Sequence, residues 1–310
     1  RNLRAMSMIL FSIINFAKII FKKYDLIHIT NFNLWIICFF YSIFYKKTKF
    51  VISLWGLELV YKNKKGVLPF IHKLIVPIKV ISKQKNFTFL TSSNSSTNLA
   101  LNYGINKEKL FKIPLGVSKE TIHQIKNDVK FKKYFLFSGR VTERKGLSWF
   151  AENVLPYFPE YKLFITGSIV ENDELLKTLK THNTEWLGRV SRSELIKLRQ
   201  ESSAVVIPNI LQPNQNDFEA YGYVTIESVA SGGLVVASNY QGLADSLKKG
   251  QLGFLAEASD SKSWVSVLND VINLEKKEKI QIITERTSYI KNNLTLDKVF
   301  KETEKLYESL

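Results

Sequence analysis

Short apolar runs alternate with amphipathic stretches in the first third of the chain. Four runs have the length and apolar content of buried strands, at residues 25–30, 50–54, 87–91 and 109–113. Four stretches have helical periodicity, at residues 3–21, 34–45, 69–82 and 95–103. Strands that alternate with helices predict a parallel sheet.

The same alternation returns after a polar stretch and continues to the end of the chain. The predicted strands are residues 134–138, 161–166, 184–187, 204–208 and 234–238. The predicted helices are residues 147–155, 173–182, 193–201, 224–231, 261–290 and 296–310. The fold class is therefore α/β, with two Rossmann-like, doubly wound domains that face a cleft, the default ligand site. The predicted boundaries are a first domain at 1–117, a linker at 118–133, a second domain at 134–290 and a C-terminal helix at 291–310 that returns to the first domain.

A length of 310 residues fits two domains, and a hydrophobic content of 45% supports folded cores. The net charge of +16 suggests anionic partners. Eight of the 44 basic residues are Arg, so a lysine-rich composition is one explanation of this charge. Attraction to an anionic membrane surface is another, because lysines flank the apolar segments of the first domain. No nucleic-acid-binding motif accompanies the charge, so we expect no nucleic-acid partner.

The sequence contains few features that indicate disulfides, metal binding, membrane insertion or export. Cys38 is the single cysteine, so no intramolecular disulfide can form, and no zinc-ligand spacing is present. The apolar run at residues 34–45 is too short to span a bilayer. The first twenty residues contain no signal-peptide cleavage site. We expect a cytoplasmic protein at the inner membrane face, with the first strand and loop of its first domain missing upstream of Arg1.

Residues 138–146 leave the first strand of the second domain and combine two glycines with three cations. Strand ends in such sheets face the ligand crevice, where Gly139, Arg140, Lys145 and Gly146 would suit a diphosphate. A solvated turn with surface cations is the alternative. Two further strand ends carry small residues, Gly167 in one turn and Gly188 with Arg189 in the other. The latter turn would face a nucleotide base, although both could be ordinary connections.

Glu219 and Glu227 are separated by seven residues that include Gly222 and two tyrosines. This pattern predicts a loop followed by a helix that begins near Val224. The amides of residues 222–225 would then form a free helix N-terminus, a natural phosphate site between two carboxylates. The alternative is one surface Glu and one Glu that stabilises the helix.

In order and spacing, these motifs resemble the retaining glycosyltransferases of family 4, which have the two-domain GT-B fold. The resemblance covers nearly all of the second domain and includes the spacing of Glu219 and Glu227, Ala230-Ser231-Gly232 and Gly253-Phe254-Leu255. The first domain is less similar, and its matching residues are Ser53-Leu54-Trp55-Gly56, Tyr103-Gly104-Ile105 and Ile113-Pro114-Leu115-Gly116-Val117.

The resemblance implies a metal-independent transfer of sugar from a nucleoside-diphosphate sugar, with no other cofactor and with retained anomeric configuration. The implied acceptor is a lipid-linked or surface-polysaccharide glycan. Arg140 and Lys145 would hold the diphosphate, Glu219 the donor sugar and Glu227 the ribose. Tyr223, Val224 and Thr225 would offer amides to phosphate, and Thr225 also its hydroxyl.

Departures from the family pattern concern the acceptor side. Trp55 precedes Gly56 where the family often has His, and Glu58 or His28 could take an acceptor-side role. Both could equally be solvated or packed residues. Gln241-Gly242 stands where the family often has two glycines. A non-catalytic nucleotide-sugar-binding or partner subunit therefore remains an alternative function.

Overall fold

The structure is a computed structural model that describes residues 21–30, 34–60, 78–211 and 218–310. Backbone contacts divide these residues into two units. The first unit comprises the described residues up to Ile113 together with Glu302–Leu310, and the second comprises Pro114–Lys301. Each unit contains one parallel sheet, which confirms the predicted α/β class with two Rossmann-like sheets.

The first unit is built on a four-stranded sheet in the order β1-β2-β3-β4. Its strands are β1 (Leu26–Ile29), β2 (Lys49–Ser53), β3 (Phe87–Thr91) and β4 (Leu110–Lys112). Its helices are α1 (Trp35–Phe44), α2 (Leu57–Val60), α3 (Ile78–Lys83) and α4 (Asn94–Tyr103). Phe50 and Phe87 stack on neighbouring strands with ring centroids 4.6 Å apart. The predicted helix 3–21 lies almost wholly outside the described residues, as do residues 69–77.

The second unit contains a six-stranded parallel sheet in the order β10-β9-β8-β5-β6-β7. Its strands are β5 (Lys132–Val141), β6 (Lys162–Ile169), β7 (Thr184–Gly188), β8 (Ser202–Ile207), β9 (Val235–Ser238) and β10 (Phe254–Ala256). Its helices are α5 (Leu147–Asn153), α6 (Asn172–Leu179), α7 (Arg192–Glu201), α8 (Tyr223–Ala230), α9 (Gln241–Ser246), α10 (Ser261–Asn273) and α11 (Lys276–Asn293). A last helix, α12 (Leu296–Glu308), begins in this unit. The strand order reverses between β5 and β8, which places the topological switch point beside β5.

Both faces of this second sheet are covered, because successive side chains of a strand point to opposite faces. In β5, Phe135 and Phe137 belong to one apolar cluster, whereas Tyr134 and Leu136 belong to another. Strands β8 and β9 alternate between the same two clusters. The unbroken apolar runs seen in the sequence are thus explained by a sheet that is buried on both sides.

Two predicted boundaries differ from the structure. Strands β5 and β6 continue to Val141 and Ile169, so Gly139 and Gly167 lie on paired strands rather than in turns. The expected linker 118–133 lies within the second unit, since the Ile125 side chain is buried in its core and the backbone N–H of His123 donates to the carbonyl of Ala230. Polar residues in both segments obscured this packing in the sequence.

Trp264 on α10 is fully buried and contacts Phe150 on α5 edge to face, with ring centroids 5.5 Å apart. Replacing Trp264 by Ala should lower the free energy of unfolding by about 3–5 kcal/mol, because it removes a large buried side chain and leaves a cavity. Denaturant unfolding of the full chain measures this change. Tyr157→Ala is the control, since Tyr157 is 66% exposed and should cost little. Equal losses for the two variants would contradict this account of the core.

Candidate functional site

A pocket of about 590 Å³ opens at the carboxyl ends of β5, β6 and β8, beside the switch point of the second sheet. All of its lining residues that the structure describes belong to the second unit. The structure brings together nine residues that the sequence predicted for the site, namely Gly139, Arg140, Lys145, Gly167, Arg189, Glu219, Tyr223, Val224 and Glu227. The predicted residues Gly222 and Thr225 do not line it.

One wall of the pocket depends on a close approach of β5 and β6. Gly139 pairs with Gly167, whose φ is +138°. A Cβ at Gly167 would lie 1.9 Å from the carbonyl oxygen of Gly139, so only glycine fits there. At Gly139, by contrast, a Cβ would meet only the Phe137 ring at 4.0 Å. The backbone at Gly139 is therefore open to a bound ligand.

A tight turn places Lys145 in a second wall of the pocket. A short 3₁₀ turn, Glu143–Lys145, ends at Gly146, whose φ is +65°. A Cβ at Gly146 would lie 2.0 Å from the carbonyl oxygen of Pro208, so glycine lets this turn pack against the chain that follows β8. Lys145 is held in the pocket wall as a result, and it is 8% exposed.

Glu219 lies at the centre of a buried polar cluster. One of its carboxylate oxygens, Oε2, accepts hydrogen bonds from Lys145 and Arg144, and from the Asn209 side chain at 3.1 Å. Burial opposes its charged form, but the Lys145 and Arg144 cations outweigh burial and lower the pKa of Glu219 to about 2. Glu219 is therefore ionised at neutral pH and held in a fixed position.

The backbone of Glu219 is also fixed. Its N–H donates to the Gln241 side chain at 2.8 Å, and its carbonyl accepts from the N–H of Gly242 at 3.0 Å. A Cβ at Gly242 would lie 2.4 Å from the carbonyl carbon of Ala220, so glycine is required for this approach. The start of α9, at Gln241-Gly242, thus anchors the loop that carries Glu219.

Helix α8 begins at Tyr223, one residue before its predicted start, and points its N-terminus at the site. Gly222 precedes it with a φ of +75°. In the described part of the chain, no acceptor is bonded to the amides of Tyr223 and Val224. The prediction for Thr225 is wrong, because its amide and hydroxyl both donate to the Gly222 carbonyl and the buried hydroxyl also contacts Ser246.

Glu227 is the second carboxylate of the pocket and lies one turn into α8. Burial raises its pKa, while the guanidinium groups of Arg199 and Arg192 oppose that rise. Arg199 lines the pocket from α7 and is 5% exposed. Glu227 is therefore less strongly held in its charged form than Glu219 is.

Cations outnumber carboxylates around the pocket. Its charged lining comprises Arg140, Lys145, Arg189, Arg199, Glu219 and Glu227. Arg140 and Arg189 are exposed, and neither forms an ion pair with any residue that the structure describes. Among the described lining residues, four positive and two negative side chains leave an excess of two positive charges, which is complementary to a dianion such as a diphosphate.

The predicted acceptor-side residues belong to the first unit, and the described ones, His28, Trp55 and Gly56, do not line this pocket. The His28 ring hydrogen-bonds with Ser53 at 2.8 Å and with Tyr307 at 2.5 Å, and burial lowers its pKa. The Trp55 indole donates to the Thr30 carbonyl at 2.7 Å. Gly56 is buried with a φ of +91° and precedes α2, which contains Glu58. The side chain of Glu58 is outside the described part of the structure.

Four residues of the site carry no role in the sequence prediction, namely Arg144, Arg199, Asn209 and Gln241. Asn209 had a usable signal, because it follows the carboxyl end of β8. Arg199 had no such signal, since the sequence alone does not distinguish one Arg in a polar helix from a surface residue. In the described ranges no cluster of three or more His, Cys, Asp or Glu could hold a metal ion, and no helix has the length and apolar content to cross a bilayer.

Two known bacterial proteins are similar to this chain in sequence. An uncharacterized 41.2 kDa protein in the cps region of Klebsiella pneumoniae is 24% identical over 283 residues, which cover 87% of this chain and 75% of that protein. The capsular polysaccharide biosynthesis glycosyltransferase CapM of Staphylococcus aureus is 23% identical over 249 residues, 77% of this chain. The match spans 59% of CapM, less than two thirds of its length.

A solved structure has the same fold. Anabaena Alr3699/HepE in complex with UDP-glucose superimposes with a TM-score of 0.72 at 17% identity, covering 95% of this chain and 82% of that one. Residues 118–287 match the family described as glycosyl transferases group 1. That range is more than half of the 310 residues and contains every described residue that lines the pocket. The chain therefore belongs to the glycosyl transferases group 1 family.

Proposed function

We propose that this protein is a retaining, metal-independent glycosyltransferase of family 4. It transfers a sugar from a nucleoside-diphosphate sugar to a lipid-linked or surface-polysaccharide glycan, at the cytoplasmic face of the membrane. One observation carries the proposal, namely the convergence of an excess of cations, two carboxylates and the unbonded amides of α8 in one pocket at the switch point. The capsular relatives support the class of acceptor.

The donor fits the pocket by charge and by hydrogen-bonding capacity. Arg140, Lys145 and the amides of Tyr223 and Val224 bind the diphosphate, which gives the two amides acceptors and both cations charge-assisted hydrogen bonds. Glu219 accepts hydrogen bonds from hydroxyls of the sugar, and Glu227 accepts them from the ribose. The Arg189 turn at the end of β7 faces the base.

The reaction follows from where the cations lie. As the bond between the sugar C1 and the diphosphate oxygen breaks, Arg140 and Lys145 stabilise the charge that develops on the leaving diphosphate. The acceptor oxygen bonds to C1 on the same face, and its proton passes to the departing phosphate oxygen. Both bond changes on one face retain the anomeric configuration.

A basic, apolar surface of the first unit supports contact with a membrane. Phe40, Ile43 and Phe44 lie on one face of α1 and are 49%, 53% and 67% exposed. Lys46 and Lys47 follow one residue after the helix, and they line the same small depression as Phe44, Lys23 and Asp25. Exposed aromatic side chains beside lysines are typical of surfaces that bind the interface of anionic bilayers.

Replacing Arg140 or Arg189 by Ala should weaken binding of UDP, GDP or ADP, whichever the wild type binds, by about ten- to a hundredfold, because each loses charge-assisted hydrogen bonds. The free energy of unfolding should not change, since neither side chain is buried. Isothermal titration calorimetry measures the binding. Lys133→Ala is the matched control, an exposed cation on the same strand that pairs with Glu160. If both Arg variants bind the nucleoside diphosphate with wild-type affinity, the proposed donor site is wrong.

Glu219→Gln should separate sugar recognition from diphosphate binding. The change removes a negative charge beside Lys145 and Arg144, so the affinity for the free nucleoside diphosphate should hold or increase. Sugar transfer should fall by about a hundredfold, as expected for loss of a charged group that orients the reacting sugar. The amount of nucleoside diphosphate released measures the transfer. Glu152→Gln is the control, because Glu152 is an exposed residue on α5. Transfer at the wild-type rate would refute the role of Glu219, and donor binding without any transfer in the wild type would favour a non-catalytic subunit.

Lys46→Glu combined with Lys47→Glu should reduce binding to vesicles that contain about 30% phosphatidylglycerol by about tenfold or more, because each lysine near an anionic surface contributes about 1 kcal/mol. Co-sedimentation measures this binding. Lys276→Glu combined with Lys277→Glu is the matched control, with the same change of net charge on exposed lysines of the second unit. If both pairs weaken binding equally, the net charge of +16 and not the α1 surface attracts the membrane.

A further inference from the structure

Arg199 on α7 is a buried cation beneath the pocket. Its Nη1 donates to the Ser231 hydroxyl at 3.0 Å and to the Glu227 carbonyl at 3.4 Å, and its Nη2 donates to the Ser138 hydroxyl at 3.3 Å. All three acceptors are neutral. Its Nε has no hydrogen-bond partner among the described residues. Arg199 therefore bridges the end of β5 and the middle of α8 without a carboxylate in direct contact.

Such an arrangement is costly unless another charge stabilises it. A cation that is 5% exposed loses most of its hydration, and no carboxylate lies within 4.0 Å of it in the described part of the chain. Glu227, which lines the same pocket, is the carboxylate that acts electrostatically on Arg199. The backbone of Glu227 also accepts one of the guanidinium hydrogen bonds. Arg199 thus acts on both the position and the charge of Glu227.

We propose that Arg199 is a positioning residue that holds Glu227 in place and ionised, so that the pocket selects a ribonucleotide through its ribose hydroxyls. This inference rests on the proposed function, in which Glu227 accepts hydrogen bonds from the ribose. A charged carboxylate accepts from both ribose hydroxyls, whereas a protonated one loses part of that capacity. A nucleotide that lacks the 2′-hydroxyl gains less from Glu227 in either case.

The charged and titratable groups that face Glu227 set the direction of the effect. Helix α7 contributes Arg199 and the exposed Arg192, and α8 contributes Tyr223. Burial raises the pKa of Glu227, and Arg199 is the larger of the two guanidinium influences that oppose it. Removing Arg199 therefore favours the protonated form. Arg192 is screened by solvent and compensates only in part.

The test compares a nucleoside diphosphate with its 2′-deoxy counterpart by calorimetry at about pH 8 and about pH 6, with UDP, GDP and ADP as candidate probes. The readout is the ratio of the two dissociation constants, in which phosphate protonation cancels. In wild-type protein this ratio should fall less between the higher and the lower pH than it does in Arg199→Gln. In Arg199→Gln the ratio should stay close to the wild-type ratio at the higher pH. At the lower pH it should fall by about tenfold, the change expected when hydrogen bonds to a charged acceptor are lost.

Two controls separate charge from structure. Ser231→Ala removes a hydrogen bond of Arg199, and the one that the Ser231 hydroxyl donates to the Glu227 carbonyl, but no charge, so its ratio should change with pH as the wild-type ratio does. In a Glu227→Gln background, Arg199→Gln should add no pH dependence, because the group that titrates is gone. A wild-type ratio at the lower pH in Arg199→Gln, or an equal loss in Ser231→Ala, would overturn the inference.

The experiment distinguishes a variant that does not fold from a failure of the proposed function and from a failure of this inference alone. If Arg199→Gln does not fold, Arg199→Lys is tested instead. Lys keeps the charge, so this variant should have the wild-type ratio at both pH values. Loss of that ratio at both pH values would contradict the role of charge. If the wild type binds none of the three diphosphates, the proposed function fails and the inference falls with it. If the wild type binds but Arg199→Gln behaves like it, only the inference falls.

Discussion

The candidate site depends on one buried ionic cluster, Glu219 with Lys145 and Arg144. Each of these three side chains is between 10% and 13% exposed, so none could be buried alone without a large desolvation cost. Together they connect the turn after β5 to the loop before α8. Because the cluster needs both segments in one place, Gly146 and the start of α9 at Gln241-Gly242, which bring them there, are part of the same constraint.

The two carboxylates of the pocket differ because their cations lie at different distances. Glu219 contacts two cations directly, which lowers its pKa to about 2, whereas Glu227 has no cation within ion-pair distance among the described residues and its pKa is raised. Neighbouring carboxylates whose environments separate their pKa values commonly have different tasks. Here the firmly ionised one lies beside the cations proposed to hold the diphosphate. The more easily protonated one lies where the ribose is proposed to bind.

The fold class and most of the pocket followed from the sequence for a simple reason. Parallel strands collect their carboxyl ends at one edge, so glycines and charged residues at predicted strand ends meet in space. The details that failed depend on tertiary packing. Nothing local distinguishes Thr225 as a buried hydroxyl from Thr225 as a ligand, and the polar ends of β5 and β6 conceal their pairing. The pairing of Arg144 with Glu219 joins residues 75 positions apart and has no sequence signature.

Arginine usage nevertheless carried information that total charge did not. The chain has 44 basic residues but eight arginines, and five of the eight lie between Arg140 and Arg199. A lysine-rich composition explains charges scattered over the surface, where a solvated ammonium group is sufficient. It does not explain guanidinium groups concentrated around one pocket, where a planar group with several fixed donors can satisfy neutral acceptors while buried, as Arg199 does, or bind a carboxylate, as Arg144 does. In a chain of this composition, the position of each Arg is therefore a better guide to the site than the density of positive charge.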